Sequence, residues 1–132
     1  MTNFYKNESS NIPLQLSQEC VVASIQVDIT EGVIQLFRKE LLDFVQATRA
    51  TGVILDVSGV EIMDVEEFNS IRYTINMVKI MGAIPVVSGL KPGVVAAIVE
   101  LGAKTEDINA ALNLDEAFAL MSKLRILKNE ND

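Results

Sequence analysis

A short apolar run between two amphipathic stretches constrains the fold of this chain more than any other feature. Residues 53–57 read Val-Ile-Leu-Asp-Val, a nearly continuous apolar segment that is typical of a strand covered on both faces. The run is therefore expected at the centre of a sheet. Before it, apolar residues recur at three- and four-residue spacing and predict a helix over 31–49, whose inner stripe is Ile34, Phe37, Leu41 and Phe44.

Strands and helices alternate along the rest of the chain. Residues 20–27 place alternate apolar side chains on one face and predict a strand, with 13–17 as an edge strand beside it. Residues 84–88 predict another strand, and 106–110 a short last one. This order predicts one α/β domain, with a mixed sheet of about four to five strands flanked by about four helices.

The helix starts carry local signals. Asp64 and Glu67 have the spacing of a capping box, which predicts that a helix begins at Val65. Pro92 suits an early helical position, where no amide donor is needed, and predicts a helix after the preceding strand. Asn113 is expected to cap a final helix.

Length and composition fit one domain. The chain has 132 residues, of which 49% are apolar, and no linker or repeat divides it. We expect the domain over residues 13–127, preceded by a flexible lead-in at 1–12 and followed by a frayed tail at 128–132.

Composition also excludes several classes of function. The chain has no histidine, so every catalytic triad that uses histidine is excluded, and neither a metal site nor a cofactor is predicted. Lys and Arg number 11 against 18 Asp and Glu, and the net charge of −7 would repel a nucleic acid.

Cys20 is the single cysteine, and it favours a reducing compartment, the cytoplasm. Because no histidine or local cationic partner accompanies it, Cys20 is expected to be a buried structural thiol. No run approaches the roughly 18 apolar residues that span a bilayer, and the first residues lack the apolar core of a signal peptide. No membrane partner is therefore predicted.

The segment Asp64-Val65-Glu66-Glu67 places three acids in one helical turn. An acid–base pair or a cation site would use such carboxylates, but stabilisation of the helix by its amides and dipole explains them more simply. As a surface feature, the segment suits the docking of a basic partner. A phosphate added nearby would place like charges together and weaken that docking.

A second candidate segment is the loop before the helix at Pro92. The amides near Gly89 and Gly93 are placed to hold a phosphate, but the glycine patterns of nucleotide sites are missing and a tight turn is the simpler interpretation. We predict a partner-binding surface that combines both segments, formed by Asp64, Val65, Glu66, Glu67, Ser88, Gly89, Lys91 and Pro92.

Six short segments carry a family resemblance when they are taken together and in order. They are VILDVSGV at 53–60, IMD at 62–64, MGA at 81–83, SGLKP at 88–92, ELG at 100–102 and AALNL at 110–114. With these segments the chain resembles the STAS family, the sulfate-transporter and anti-sigma-factor-antagonist domains, and in particular its stressosome scaffold branch. The similarity spans nearly the whole chain.

The resemblance implies a sheet flanked by helices and a non-enzymatic protein that binds a switch-type serine/threonine kinase or an anti-sigma factor. It also implies control by phosphorylation, assembly with other STAS-domain proteins and self-association. In that family the acceptor hydroxyl usually follows the aspartate that matches Asp64. Here that position is Val65, which has no hydroxyl.

Three regulatory accounts stay open for a chain with Val65 at this position. Ser88 matches a second position that is phosphorylated in some relatives of the scaffold branch and is the candidate phosphoacceptor, although a serine ending a strand is commonly a turn former. In the second account the surface is permanently unmodified and the protein is a constitutive scaffold. In the third, Val65 was engineered to block phosphorylation.

The alternative function is a small-molecule- or nucleotide-sensing STAS domain, in which the amides near Gly89 and Gly93 hold an anion. An enzyme that uses the acidic cluster ranks last, because no histidine or partner base accompanies the acids.

Overall fold

The central apolar run forms the middle strand of a five-stranded sheet. The computed structural model describes residues 9–26, 30–103, 105 and 107–131. Its strands are β1 Leu14–Ser17, β2 Cys20–Ser24, β3 Gly52–Asp56, β4 Ile84–Ser88 and β5 Ala110–Ala111. They lie side by side in chain order; β1 is antiparallel to β2, and the other neighbours are parallel. The predicted mixed sheet is confirmed.

Helices cover both faces of this sheet. Within the described ranges they are α1 Glu31–Thr48, α2 Val65–Ile80, α3 Pro92–Glu100 and α4 Leu114–Asn131. The first three pack on one face and α4 packs on the other. Along β2, Val21 and Ala23 point to the first face and Cys20 and Val22 point to α4, as the alternation predicts. Val27, the last residue of the predicted strand, lies outside the described residues.

The larger core lies between the sheet and α1, α2 and α3. In α1 the buried stripe is Ile34, Phe37, Leu41 and Val45. Phe44, which the spacing assigns to this stripe, is partly buried at its margin. A fully buried side chain of this size contributes about 1.5–3 kcal/mol through the hydrophobic effect, so these stripes hold the helices against the sheet.

The domain begins earlier than predicted. Ser10 is buried, and Ile12 joins the main core with 6% of its surface exposed. The backbone amide and the hydroxyl of Ser10 both donate hydrogen bonds to the carboxylate of Glu40 in α1. A charged acceptor therefore compensates for burying polar Ser10. The prediction of a flexible lead-in is wrong for Ser10 and Ile12, and residues 1–8 lie outside the described residues.

The C-terminal part also differs from expectation. Helix α4 continues to Asn131, so residues 128–131 are helical where a frayed tail was predicted. The Lys128 Nζ atom donates a hydrogen bond to the Gly82 carbonyl oxygen at 2.6 Å. This contact holds the last turns of α4 to the backbone at Gly82. The last strand was predicted at 106–110, but only residues 110 and 111 pair, because they lie beside the end of β4. Residue 106 lies outside the described residues.

The turn between β1 and β2 has an unusual composition. Gln18 and Glu19 have φ angles of 52° and 65°, in a region that favours glycine and asparagine. The carbonyl oxygen of Gln18 accepts a hydrogen bond from Arg125 of α4 at 2.9 Å. The carbonyl oxygen of Glu19 accepts one from the Thr51 amide at 2.9 Å. Contacts with residues distant in sequence therefore hold this turn.

Candidate functional site

The predicted capping box opens α2. The Asp64 carboxylate accepts a hydrogen bond from the Glu67 amide at 2.7 Å, and the Glu67 carboxylate accepts one from the Asp64 amide at 3.2 Å. These bonds satisfy two amides at the helix start, which have no partner within the helix. Asp64 and Glu67 therefore stabilise the helix that presents them.

We call Asp64, Val65, Glu66 and Glu67 the acidic ledge. Asp64 and Glu66 are exposed, and Val65 and Glu67 are half-buried. No hydrogen bond or ion pair is found for the Glu66 carboxylate within the described part of the chain. Because the capping box already engages Asp64 and Glu67, Glu66 is the ledge carboxylate with the greatest freedom to meet a partner.

The β4–α3 loop, taken here with the flanking Ser88 of β4 and Pro92 of α3, lies at the same edge of the sheet as the ledge. Lys91 forms an ion pair with Glu61, which precedes the ledge in the β3–α2 loop. Gly89 packs closely on Ser58, which lies in the β3–α2 loop with Glu61. A Cβ added at Gly89 would lie 2.7 Å from the Ser58 Cβ atom. The structure thus brings the two predicted segments to one edge of the sheet. Sequence reasoning missed Glu61, whose contact with Lys91 spans 30 residues.

The residues of this loop divide into interior and surface groups. Ser88 and Gly89 are buried, Lys91 is half-buried, and Pro92 is exposed. Ser88 has 0% exposure, and within the described residues its hydroxyl oxygen has no hydrogen-bond partner. Phosphorylation of Ser88 therefore stays a prediction that requires the loop to open first.

The amide of Gly89 is not free to hold an anion. It donates a hydrogen bond to the Ala111 carbonyl oxygen at 3.0 Å, which continues the pairing of β4 with β5. Gly89 has a φ angle of +83°, as a tight turn requires. This geometry supports the interpretation of the segment as a turn rather than as a phosphate cradle.

Arg38 of α1 fixes the position of α2 behind the ledge. Its Nε atom donates to the Thr74 hydroxyl, and one terminal nitrogen donates to the Ser70 carbonyl oxygen, both at 3.0 Å. The guanidinium carbon lies 4.6 Å from the centre of the Tyr73 ring, within cation–π range. No local sequence pattern indicates this contact, because the partners lie more than thirty positions apart.

Replacing Arg38 with methionine is expected to lower the free energy of unfolding by about 1.5 kcal/mol. Methionine keeps most of the apolar stem but loses two charge-assisted hydrogen bonds and the contact with Tyr73. Urea unfolding of the variant measures the change. Lys39→Met, at the next and exposed position of α1, is the control and should leave stability within about 0.5 kcal/mol. Equal stability of the two variants would contradict the anchoring role.

Cys20 is buried, as predicted, but it has a cationic neighbour that the sequence did not indicate. A terminal nitrogen of Arg125 lies 3.0 Å from the Cys20 sulfur. Burial raises the pKa of the thiol above its ordinary value, and the opposing effect of Arg125 is smaller. The thiol therefore stays protonated, and the prediction that no cation accompanies it is wrong, because α4 brings Arg125 from 105 residues away.

Comparison with models of known protein families identifies the family to which the chain belongs. The model of the STAS domain matches residues 11–117, which include the whole sheet and the acidic ledge. The chain belongs to the STAS domain family. The resemblance noted in the six sequence segments is therefore confirmed, as is the predicted fold class.

Solved structures share the fold of this STAS domain. A variant of RsbS from Moorella thermoacetica is 24% identical, with a TM-score of 0.75 over 87% of this chain and 97% of that chain. A chain of the stressosome, described as a signal integration and transduction hub, is 22% identical, with a TM-score of 0.72 over 86% and 98%. A sulfate transporter family protein from Wolinella succinogenes is 20% identical, with a TM-score of 0.64 over 83% and 90%.

No curated protein sequence matches the chain. Among the helices in the described ranges, none combines the length and the apolar character needed to cross a membrane.

Proposed function

We propose that this STAS domain is a non-enzymatic regulatory module of the cytoplasm, an anti-sigma-factor antagonist or a stressosome-type scaffold. It binds a switch-type serine/threonine kinase or an anti-sigma factor through the acidic ledge and the β4–α3 loop, and it assembles with other STAS-domain proteins. The likeness to RsbS and to a stressosome chain supports this class of function.

One observation carries the proposal. The ledge and the loop lie at one edge of the sheet, where the Lys91–Glu61 ion pair joins the β4–α3 loop to the β3–α2 loop that leads into the ledge. Asp64, Glu66 and Pro92 are exposed there. Their carboxylates belong to a chain with a net charge of −7. A basic surface on a partner would be attracted to this edge, since complementary charge speeds encounter and selects the partner.

The structure also bears on how the surface is regulated. Val65 has no hydroxyl, and Ser88 is fully buried on a strand that pairs with both β3 and β5. Neither position offers a kinase an accessible acceptor in this conformation. Of the regulatory accounts, the burial of Ser88 supports the constitutive scaffold, whose docking surface carries fixed charge from Glu66 and its neighbours.

Neutralising the ledge is expected to weaken binding of the partner about tenfold, because each exposed ion pair contributes up to about 1 kcal/mol. The variant combines Asp64→Asn, Glu66→Gln and Glu67→Gln, which removes charge but keeps oxygen acceptors for the capping box. Calorimetry with a purified switch-type kinase, and separately an anti-sigma factor, of the same genome measures the affinity. The loss should shrink as salt rises, since the attraction is electrostatic.

The matched control changes the net charge equally at a distance from the ledge. It combines Asp43→Asn, Glu100→Gln and Glu130→Gln, three exposed carboxylates on α1, α3 and α4. Binding should be close to that of the unmodified protein. If the ledge variant and the control bind alike, the ledge is not the docking surface.

A further inference from the structure

The acidic ledge alone is a weak basis for affinity. An exposed ion pair changes an equilibrium constant by a factor of only about 1.5–5. Protein interfaces that persist usually place one or a few large side chains in a well-packed pocket, and these residues carry most of the affinity. If the ledge steers a partner to this edge, a pocket for such a side chain should lie close to it.

The structure contains an apolar pocket that lies next to both halves of the proposed surface. Phe68 follows Asp64 by one helical turn, and its amide donates to the Asp64 carbonyl oxygen at 3.0 Å. Leu90 is the middle residue of the β4–α3 loop. Phe68 and Leu90 line the pocket together with Val95, Ile98, Thr105 and Ala110.

The lining shows how the pocket is oriented. Phe68 and Ile98 are each 2% exposed and form its inner end. Val95, Thr105 and Ala110 are exposed and form its mouth. Among the described residues of the lining, Thr105 alone has a polar side chain, so an occupant would meet mainly carbon there. Val95 of α3 is 40% exposed, so a partner that covers its apolar side chain would remove apolar surface from water.

The size of the pocket selects its occupant. Its volume is about 140 Å³. A cavity of about 150 Å³ lined by Leu, Ile and Phe admits benzene, so the present pocket accommodates one ring but no extended ligand. A drug-sized ligand or cofactor needs roughly 300 Å³ or more.

We infer that this pocket is the anchor site of the docking surface and that it receives one aromatic side chain of the protein partner. The inference rests on the proposed function, because the partner is the protein that the ledge attracts. In this arrangement the ledge provides steering through charge, and the pocket between α2, α3 and β5 provides a contact that slows dissociation. Recognition would then require a basic surface next to a protruding ring.

Filling the pocket tests the inference. Ala110→Phe places a ring at the mouth from the β5 side, and Val95→Phe does so from α3, so one variant remains informative if the other fails to fold. Both should weaken binding of the kinase or anti-sigma factor about 30-fold, as expected for loss of a central anchor. Ala119→Phe, at an exposed position of α4 on the opposite face of the sheet, is the control and should bind normally.

A small probe examines the pocket without a partner. Indole, titrated into the full chain, should shift the NMR signals of Leu90 and Ile98 with a Kd of about 1 mM, a usual affinity for a fragment of this size. The filled variants should lose these shifts. Absence of the shifts in the unmodified protein would overturn the pocket as a binding site.

The outcomes separate the two proposals. If the unmodified protein binds neither kinase nor anti-sigma factor, the proposed function fails. If it binds and the filled variants bind equally well, the anchor inference fails while the proposed function stands. Indole binding with unchanged partner affinity would show that the pocket takes a small molecule instead. If sedimentation shows that the unmodified protein is a dimer and the filled variants are monomers, the pocket binds a second copy of the chain. Either result overturns the inference.

Discussion

Replacing Ser88 with aspartate is expected to lower the free energy of unfolding by about 4 kcal/mol, because a carboxylate without a countercharge would be buried. Ser88 has 0% exposure, and in the sheet it pairs with Asp56, so the two side chains lie on the same face of adjacent strands. Adjacent strands are about 4.8 Å apart, so the new charge would also repel Asp56. Denaturant unfolding measures the change.

Two comparisons isolate the cause. Ser88→Ala should leave stability unchanged or raise it by about 1 kcal/mol, because the hydroxyl oxygen has no partner to lose among the residues that the structure describes. Ser122→Asp makes the same chemical change on the exposed surface of α4 and should alter stability by less than about 0.5 kcal/mol. A Ser88→Asp protein as stable as the unmodified one would show that this edge opens readily, and would restore Ser88 as an accessible phosphoacceptor.

Replacing Gly89 with alanine is expected to cost about 3 kcal/mol, or about 10 °C in Tm for a domain of this size. Two effects add. The φ angle of +83° strains any residue with a Cβ, at about 1 kcal/mol. The new Cβ would also lie 2.7 Å from the Cβ and 2.9 Å from the Cα of Ser58, and relieving this overlap costs about 2 kcal/mol because backbone must move.

Gly82 offers a matched control for the strain alone. Its φ angle is +90°, yet apart from its two chain neighbours no described residue has an atom within 4 Å of the position that a Cβ would take. Gly82→Ala should therefore cost only about 1 kcal/mol. Thermal unfolding of both variants measures the difference. Equal losses at the two positions would mean that the contact between Gly89 and Ser58, and with it the close joining of the two loops, is not rigid.

The features that were predicted correctly depend on local patterns. The capping box of Asp64 and Glu67 spans three residues, and the alternation along β2 follows from the two-residue period of a strand. The central position of residues 53–57 follows from a run apolar enough to be buried on both faces. In each case the sequence signal and the structure that it forms occupy the same short segment.

The errors came from contacts between distant residues. The sequence pattern assigns Ser10 to a polar lead-in, because nothing nearby in sequence indicates that Glu40 accepts its hydrogen bonds. The segment around Cys20 offers no local cation, because Arg125 reaches the thiol only when α4 packs on the sheet. Ser88 resembled a turn residue at the surface, and its burial follows from pairing with both β3 and β5. The apolar pocket likewise assembles from three separate segments.

The hairpin between β1 and β2 has a consequence for the order of folding. Gln18 and Glu19 adopt left-handed backbone angles without the residues that favour them, and Arg125, 107 positions away from Gln18, supports the turn. An isolated peptide of this segment would thus populate the hairpin poorly. The first edge strand should become protected from hydrogen exchange only after the C-terminal helix has docked, so early structure must form among the parallel strands.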